Sequence, residues 1–547
     1  MIRVRKFQYN FLHENLSFWG SIVIIQLLSA ASAGVLIWYF PMYPGVSPDS
    51  VIYIEGAENL YTTFEYKSKF IRWLWEGGRD ENKAPQQIVE SAITNKKEWI
   101  TDFPPGTSFI YHLTYYISSN ILKNIKVINI VFFIFLVLSF LFIIYFETGN
   151  LWLTILLFFY LVFTLPFIEK FYWAWSEPLY VLFNFLSFFT LIKFIETKKQ
   201  SFFILSIIVT TIGCSIRFQG IANVISGLIV LLLYNREYRL KRALMWGLTS
   251  SLFFLIDFFY LKTLARGTRY RFHFYPQTIP NLEGNLDIFL HGLLTNYLIF
   301  SAENRNFLRT LFFDGAFIIF LFIIILSCFF NRGFKFTSCA IYIVMQCMII
   351  IISGIVFNAG APERYVMPLF PLAGYWFGKA VDVKNFYLRK ILQGLLLLFL
   401  ILILPLKFFD FYKIRQINRD DGLWYSGSSS RNSAILSYLS HLKIIEKNFY
   451  IFSNDAFLAY NSLFNMKLVM YPLPYKRAGF EKFFELTRDM NYYIIWDTNT
   501  EGLPIFDTSS KKVITFEYKQ AFLDSFPEFT KMYYLPNYLI YGKKKND

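Results

Sequence analysis

The run FWGSIVIIQLLSAASAGVLIWYF, at residues 18–40, decides the fold. It holds no charged residue and exceeds the roughly 20 apolar residues that a helix needs to cross a bilayer. Arg3, Arg5 and Lys6 precede it, so the positive-inside rule puts the N-terminus in the cytoplasm. The small residues at 29–34 are typical of a signal-peptidase site, but the apolar run continues beyond them and predicts an uncleaved signal anchor.

The composition of the whole chain agrees with a membrane protein. Of its 547 residues, 55% are hydrophobic, 21% aromatic and 17% charged, with a mean hydropathy of +0.40; soluble domains carry about 25% charged residues. These values exclude a disordered chain, a disulfide-rich secreted module and a routine cytosolic enzyme. The net charge of +15 would suggest nucleic-acid binding in a soluble protein, but in a membrane protein it is typical of cytoplasmic loops.

Further apolar runs follow the first and alternate with polar loops. They lie at 127–146, 150–166, 177–196, 201–216, 219–234, 244–264, 308–330, 337–357, 365–380 and 390–408. With the first run they predict a polytopic helical membrane protein of about eleven spans. The inner loops of this topology carry Lys198, Lys199, Arg236, Arg239, Lys241, Arg242, Arg332, Lys335, Lys384, Arg389 and Lys390. The positive-inside rule therefore supports the topology in every inner loop except the short one at 147–149.

The apolar stretch at 107–121 does not fit this alternation. As a further span it would reverse the orientation of every later loop. We therefore expect it to form a helix at the outer membrane interface or a shallow re-entrant segment.

The C-terminal part, residues 409–547, is much less hydrophobic than the rest. It shows short strand-like runs at 449–452, 467–470, 492–496, 513–516 and 533–541, with helix-like stretches at 431–446 and 478–490. An odd number of spans leaves this part outside, so we predict an extracytoplasmic α/β domain. The membrane domain then covers 1–408, with outer loops at 41–125 and 265–307.

Cysteine and histidine usage points to neither a disulfide framework nor a zinc site. Cys214, Cys328, Cys339 and Cys347 all fall in or beside predicted spans, so no disulfide is implied. The sequence has five scattered histidines and no C-x-x-C, H-E-x-x-H or Walker motif. Isolated carboxylates do not predict a metal site, although a divalent cation stays open as a cofactor.

The first outer loop is long, and long loops are usually functional. Asp49 follows Pro48 at the start of a helical stretch. It could serve only as a helix N-cap, or it could act as a general base or orient an acceptor hydroxyl at the membrane edge. Asp102, shortly before the double proline of the same loop, is a second candidate carboxylate, for which a capping or turn role is the alternative.

Glu177 lies at the outer start of a span, between Ser176 and Pro178. Pro178 suits the first turn of a helix, and Ser176 suits its cap. An acidic residue at membrane depth is costly and is therefore usually functional. The alternative is a favourable interaction of Glu177 with the helix N-terminus.

Several arginines lie on the outer side, where topology does not require them. They are Arg217, Arg266, Arg269, Arg271 and Arg364. Each could extend to lipid headgroups, but together they indicate a cationic pocket for a phosphate or pyrophosphate. The aromatic residues among them could stack on a sugar or belong to the interfacial aromatic belt.

These features together resemble the GT-C superfamily of glycosyltransferases that use polyprenyl-phosphate-linked sugars, in particular its aminoarabinose- and mannosyltransferase-like members. The matching elements are Asp49 in a long first outer loop, Phe-Pro-Pro-Gly at 103–106, Ser-Glu-Pro-Leu at 176–179, and Arg364-Tyr365 followed by Pro368 and Pro371. The sequence departs from the family pattern at residue 50, which is serine and not a second acid. It also lacks the W-W-D-Y-G signature, so an N-glycosylating role is not implied.

The resemblance implies an inverting sugar transfer on the outer leaflet, from a polyprenyl-phosphate donor to a lipid, glycan or protein acceptor. Asp49 would be the base and Glu177 a second catalytic residue. The donor phosphate would be bound by Arg364, Arg217, Arg266 and Arg269. The sugar or acceptor would contact Tyr53, Asp102, Trp175, Tyr270, His273 and Tyr365. Membrane lipids are the remaining expected partners, and nucleic acid is not expected.

Two other functions stay open from the residues alone. A glycan polymerase or ligase with pyrophosphate-linked donors would share the outer arginines but would not need Asp49. A flippase or transporter of lipid-linked sugars would place charges near the midplane, where Asp257 is an exception in otherwise apolar segments. For the leading function we expect a bacterial inner membrane location with an extracytoplasmic site.

Overall fold

Apolar helices connected by short turns dominate the structure, a computed structural model. It describes residues 2–39, 44, 48–68, 97–100, 103–235, 239–263, 319, 322–323, 325–330, 333–357, 363–381, 383, 385–421, 450–453, 470–472, 485–488, 492–497, 504–507, 512–515, 530–535 and 538–543. The chain divides into two units. The first comprises Met1–Pro41 and Lys126–Ile417, and the second comprises Met42–Ile125 and Asn418–Asp547.

The helices within the described residues are numbered in chain order. They are α1 Ile2–Tyr39, α2 Pro48–Thr63, α3 Gly106–Thr114, α4 Ile121–Thr148, α5 Leu151–Val162, α6 Leu165–Tyr172, α7 Glu177–Thr197, α8 Gln200–Ile216, α9 Ile221–Tyr234, α10 Arg239–Ser250, α11 Leu252–Thr263, α12 Phe334–Phe357, α13 Leu369–Ala380 and α14 Phe386–Asp421. Short 3-10 turns at Phe218–Gly220 and Glu363–Val366 precede α9 and α13.

Five of the described helices are long and apolar enough to cross a membrane. These segments are Phe18–Tyr39, Ile121–Thr148, Glu177–Thr197, Phe334–Ile352 and Phe386–Phe409. They coincide with predicted spans, and α5 and α8 are shorter apolar helices at two further predicted positions. The predicted polytopic helical membrane architecture is therefore confirmed. Most of the predicted span at 308–330 lies outside the described residues.

Two predicted spans are each divided between two helices. The run at 150–166 is interrupted after α5, and Pro166 lies in the first turn of α6. Proline has no N–H for the helix ladder, so it favours a new helix start over continuation. The run at 244–264 is split between α10 and α11, with Ser251 in the turn.

Ion pairs connect the ends of four helices of the first unit, α4, α7, α12 and α13. Glu147, near the end of α4, has a side chain only 4% exposed. Its carboxylate lies 2.8 Å from Lys193 Nζ of α7, 2.6 Å from Lys335 Nζ of α12 and 2.9 Å from Lys379 Nζ of α13. The predicted alternation puts these four helix ends on the same side. The loop at 147–149, which the predicted topology places inside, has no basic residue of its own, but lysines of other segments reach Glu147.

Helices α9 and α10 approach each other closely at Gly227. The indole of Trp246 is fully buried there, and its Nε1 donates to the Val224 carbonyl at 3.1 Å. A Cβ on Gly227 would overlap the Trp246 ring. Glycine is therefore required by the contact between the two helices.

In the second unit, α2 and α3 pack through polar residues. Thr107, Ser108 and His112 of α3 are buried, and Ser108 Oγ donates to the Tyr53 carbonyl at 2.9 Å. The opposite face and the following turn expose apolar side chains, which are Phe109, Leu113, Tyr116 and Ile117. Polar side chains inside and apolar side chains outside are the reverse of a soluble helix, and this arrangement suits a helix whose outer face contacts lipid. The interfacial location of this segment stays a prediction.

The described strands of the C-terminal part form a mixed sheet. Its strand order is β4-β3-β5-β9-β8, with β3 Tyr450–Ser453, β4 Met470–Pro472, β5 Tyr492–Asp497, β8 Thr530–Leu535 and β9 Tyr538–Lys543. A separate two-stranded sheet in the first loop pairs β1 Lys67–Ser68 with β2 Glu98–Trp99. The β3 contacts are parallel and the β9 contacts antiparallel. The predicted run at 533–541 corresponds to the end of β8 and the start of β9.

A separate hairpin joins β6 Pro504–Asp507 to β7 Lys512–Thr515. The sequence predicted β7 but not β6. The helix expected at 431–446 lies outside the described residues, and of the one expected at 478–490 residues 485–486 are helical.

We expect Gly227→Ala to lower the free energy of unfolding by about 1–3 kcal/mol, because the added methyl group overpacks the Trp246 contact. Thermal unfolding in detergent measures the effect. Gly394→Ala is the matched control, since Gly394 is also helical and has no atom within 4 Å of an added Cβ. Equal melting temperatures for both variants would contradict the described packing.

We also expect acidification to loosen α3. His112 is packed among the rings of Tyr61, Phe109 and Tyr116, and burial lowers the pKa of its imidazole. The folded state thus favours neutral His112, whose stabilisation is complete above pH about 6.5 and is lost as the pH falls. Hydrogen exchange of α3 should speed up between pH 7 and pH 5 in the wild type beyond the intrinsic pH effect. His112→Phe should abolish this excess, and its persistence would exclude His112 as the cause.

Candidate functional site

The candidate site of the first unit begins where α8 ends beside the start of α7. Arg217 is extended, with φ −151° and ψ 132°, and the Phe218–Gly220 turn folds back immediately after it. A Cβ on Gly220 would lie 2.7 Å from Cys214 Cα. The glycine therefore permits the close turn that places the side chains of Arg217 and Gln219 at the N-terminus of α7.

Arg217 and Glu177 form an ion pair at this position. Arg217 Nη1 lies 2.7 Å from Glu177 Oε1 and donates to Ser176 Oγ at 2.9 Å. Glu177 is 1% exposed and the Arg217 side chain 14%. The guanidinium carbon also lies 4.5 Å from the centre of the Tyr365 ring, a cation–π distance. The pair is thus held by contacts from α7 and from the turn before α13.

Gln219 extends the cluster toward the middle of the bundle. Its side-chain oxygen accepts from Arg217 Nε at 3.2 Å. Its side-chain nitrogen donates to Gln346 Oε1 at 2.9 Å and to the Tyr365 carbonyl at 3.2 Å. Arg217 is therefore connected through one amide to α12.

Gln346 is the centre of a buried amide cluster. Its side-chain nitrogen lies 3.0 Å from the Tyr180 hydroxyl and 2.9 Å from the side-chain oxygens of Asn184 and Asn223. Asn184 in turn donates to the Pro368 carbonyl at 2.8 Å. Gln346, Asn184, Asn223 and Tyr180 are completely buried. Helices α7, α9 and α12 are thus joined by hydrogen bonds below the ion pair.

A flat aromatic surface precedes Ser176 in the chain. The rings of Trp173 and Trp175 stack, with centres 4.7 Å apart and an angle of 11° between their planes. The Asn129 side-chain amide fixes this segment, since it donates to the carbonyls of Phe171 and Trp173, each at 3.0 Å. Trp175 is half-buried, so part of its surface can contact a ligand.

The second unit holds Asp49 and Tyr53. Asp49 is half-buried in the first turn of α2. Tyr53 is buried, and its ring packs edge-on against Phe103 with centres 5.2 Å apart. Glu55, which the sequence did not single out, is 1% exposed and is hydrogen-bonded to Ser68 Oγ.

The structure brings together three of the residues that the sequence predicted for the site, namely Glu177, Arg217 and Tyr365. Predicted residues outside the described part are Asp102, Arg266, Arg269, Arg271, Tyr270 and His273. Arg364 lies in the Glu363–Val366 turn, and its side chain is also outside the described part. The described residues contain no cluster of three or more His, Cys, Asp or Glu able to hold a metal ion.

Sequence reasoning missed the amides Asn184, Gln219, Asn223 and Gln346. The signal that could have found them is an amide within an apolar run. Such a residue is costly in a bilayer and needs a partner. The runs at 177–196 and 337–357 contain one such amide each, and the run at 219–234 contains two.

Two crystal structures of ArnT from Cupriavidus metallidurans match this chain almost from end to end. The apo structure has a TM-score of 0.55 at 9% identity. The structure bound to undecaprenyl phosphate has a TM-score of 0.53 at 10% identity. Each match covers 94% of this chain and 97% of the other.

The chain has the ArnT fold. The expected polytopic helical fold is thereby confirmed. Comparison with protein-family models and with curated proteins gives no match. At this level of identity, the likeness to ArnT establishes the shared fold.

We expect Arg217→Ala to lower the free energy of unfolding by about 3–5 kcal/mol, because it leaves Glu177 as a buried carboxylate without its cation. The double variant Arg217→Leu with Glu177→Leu should recover part of this loss, since neither charge then stays buried alone. Thermal unfolding in detergent provides the measurement, with Lys241→Ala on the exposed side of α10 as the control. Strictly additive losses would show that the two side chains are not coupled.

Proposed function

We propose that this chain is an integral membrane glycosyltransferase that moves a sugar from a polyprenyl-phosphate donor to a lipid, glycan or protein acceptor. The observation that carries the proposal is the ArnT fold over 94% of the chain, including a structure of ArnT bound to undecaprenyl phosphate. The ion pair of Arg217 with Glu177 also supports the proposal, because arginine suits phosphate recognition at a lipid interface.

In this proposal Arg217 contacts the donor phosphate together with Arg364, Arg266 and Arg269. Negative charge develops on the phosphate as the sugar departs, so fixed cations lower the barrier. Glu177 faces Arg217 and is almost completely buried. Its proposed role in the reaction is to orient the guanidinium.

Asp49 is the proposed general base. The acceptor hydroxyl gives its proton to the Asp49 carboxylate while its oxygen bonds to the anomeric carbon of the sugar. The bond from that carbon to the phosphate oxygen breaks, and its electron pair leaves with the phosphate. Attack opposite the leaving group inverts the anomeric centre. The half-buried position of Asp49 in the first turn of α2 is compatible with access to an acceptor.

The stacked pair of Trp173 and Trp175 is the proposed contact surface for the sugar, since an aromatic plane fits the apolar face of a sugar ring. Tyr365 borders the same cluster through Arg217. Tyr53, Asp102, Tyr270 and His273 complete the proposed sugar or acceptor contacts. The site lies on the outer side of a bacterial inner membrane in this proposal, where lipid-linked donors replace nucleotide sugars.

The test of this function is transfer from a radiolabelled polyprenyl-phosphate sugar by the purified protein in proteoliposomes. We expect Asp49→Asn to lower kcat about 10²- to 10⁴-fold, the effect of losing a general base, with the melting temperature unchanged. Glu65→Gln is the control, because Glu65 pairs with Lys67 at a partly exposed position soon after α2.

Unchanged transfer by Asp49→Asn would exclude Asp49 as the base. Movement of the labelled lipid across the bilayer without covalent transfer by the wild-type protein would instead favour a transporter.

A further inference from the structure

The side-chain amide of Gln219 can take only one orientation, because its two ends have different partners. Its oxygen faces Arg217 Nε, while its nitrogen faces Gln346 Oε1 and the Tyr365 carbonyl. A reversed amide would direct N–H groups at the guanidinium and leave three acceptors facing one another. The amide therefore sets the direction of one edge of the guanidinium.

Gln346 fixes the side chain of Gln219 by accepting a hydrogen bond from its amide nitrogen. It is fully buried within the apolar segment Phe334–Ile352, where water cannot replace a lost hydrogen bond. Tyr180 and Asn184 of α7 and Asn223 of α9 hold its amide nitrogen at 2.9 to 3.0 Å. Gln219 thus contacts a side chain of α12 that residues of two other helices hold in place.

The same hydrogen bonds hold the segment from Glu363 to Pro368. Gln219 donates to the Tyr365 carbonyl, and Asn184 donates to the Pro368 carbonyl at 2.8 Å. The Tyr365 ring lies beneath the Arg217 guanidinium. Arg217 and the turn that carries Arg364 are therefore attached to one continuous amide cluster, although they are far apart in sequence.

We propose that Gln219 and Gln346 are positioning residues for the donor phosphate, with Gln346 acting through Gln219. This inference rests on the proposed function, in which Arg217 binds that phosphate. Neither glutamine reacts. Together they hold the cation and the Glu363–Pro368 segment in a preorganised arrangement, so that little reordering is needed when the phosphate binds.

The test is a double-mutant cycle on the dissociation constant for undecaprenyl phosphate, measured with the full-length protein in detergent below the melting temperature of every variant. We expect Gln219→Leu and Gln346→Leu each to weaken binding about tenfold, as for one lost hydrogen bond to a charged group. Because the two residues act in series, the double variant should also lose about tenfold and not the hundredfold expected for independent sites.

Three further variants separate positioning from stability. A buried carboxyl group without a cation stays neutral, so Gln346→Glu keeps an oxygen that accepts from Gln219 and gains an O–H that can donate to Asn184 or Asn223. It should therefore bind within about threefold of the wild type. Met348→Leu is an exposed change on the same helix and should leave affinity unchanged. Lys335→Met breaks the ion pairs at the far end of α12, so it should lower the melting temperature without changing affinity.

The outcomes distinguish this inference from the proposed function. Suppose that the wild type binds undecaprenyl phosphate. Unchanged affinity in Gln219→Leu would then overturn the positioning role and leave the proposed function intact, and so would a loss in the double variant equal to the product of the two single losses. A wild-type protein that does not bind undecaprenyl phosphate would overturn both. If Gln346→Leu does not fold, Gln219→Leu alone decides: unchanged affinity overturns the role, and a tenfold loss with affinity kept in Gln346→Glu supports it.

Discussion

A carboxylate that is 1% exposed in an apolar bundle requires a cation beside it, and the contact of Glu177 with Arg217 at 2.7 Å meets this requirement. The pair fixes where α7 starts relative to the end of α8. It also draws in Ser176, the Phe218–Gly220 turn and the ring of Tyr365. Because the low dielectric of the interior makes separation of the charges expensive, these segments are constrained to meet at one place.

Much of the helical unit could be predicted from the sequence, because the bilayer demands long apolar segments with charges at their ends. The same constraint predicts Glu177 and Arg217 as site residues, since each is charged and stands at the end of an apolar run. Tyr365 follows instead from the Arg364-Tyr365 element of the family resemblance. Their mutual contacts could not be predicted, because a pattern along the chain does not say which ends meet. Gln346 was missed because a single amide within an apolar run changes the hydropathy very little.

The ArnT fold at 9% identity has a physical explanation in the same constraint. Apolar side chains that face lipid or one another are nearly interchangeable as long as volume is conserved, so their identities drift while the helices persist. Specific chemistry is confined to the few polar positions that the bundle must satisfy internally. Those positions, and not the overall sequence, are where such proteins are best compared.

The lysines around Glu147 have a consequence for biosynthesis. Glu147 leaves the ribosome well before Lys193, and Lys335 and Lys379 follow much later. The N-terminal helices therefore enter the membrane with an acidic group whose three cations have not yet been made. The bundle can close at that end only when translation has passed residue 379, so the late helices complete the assembly of the early ones.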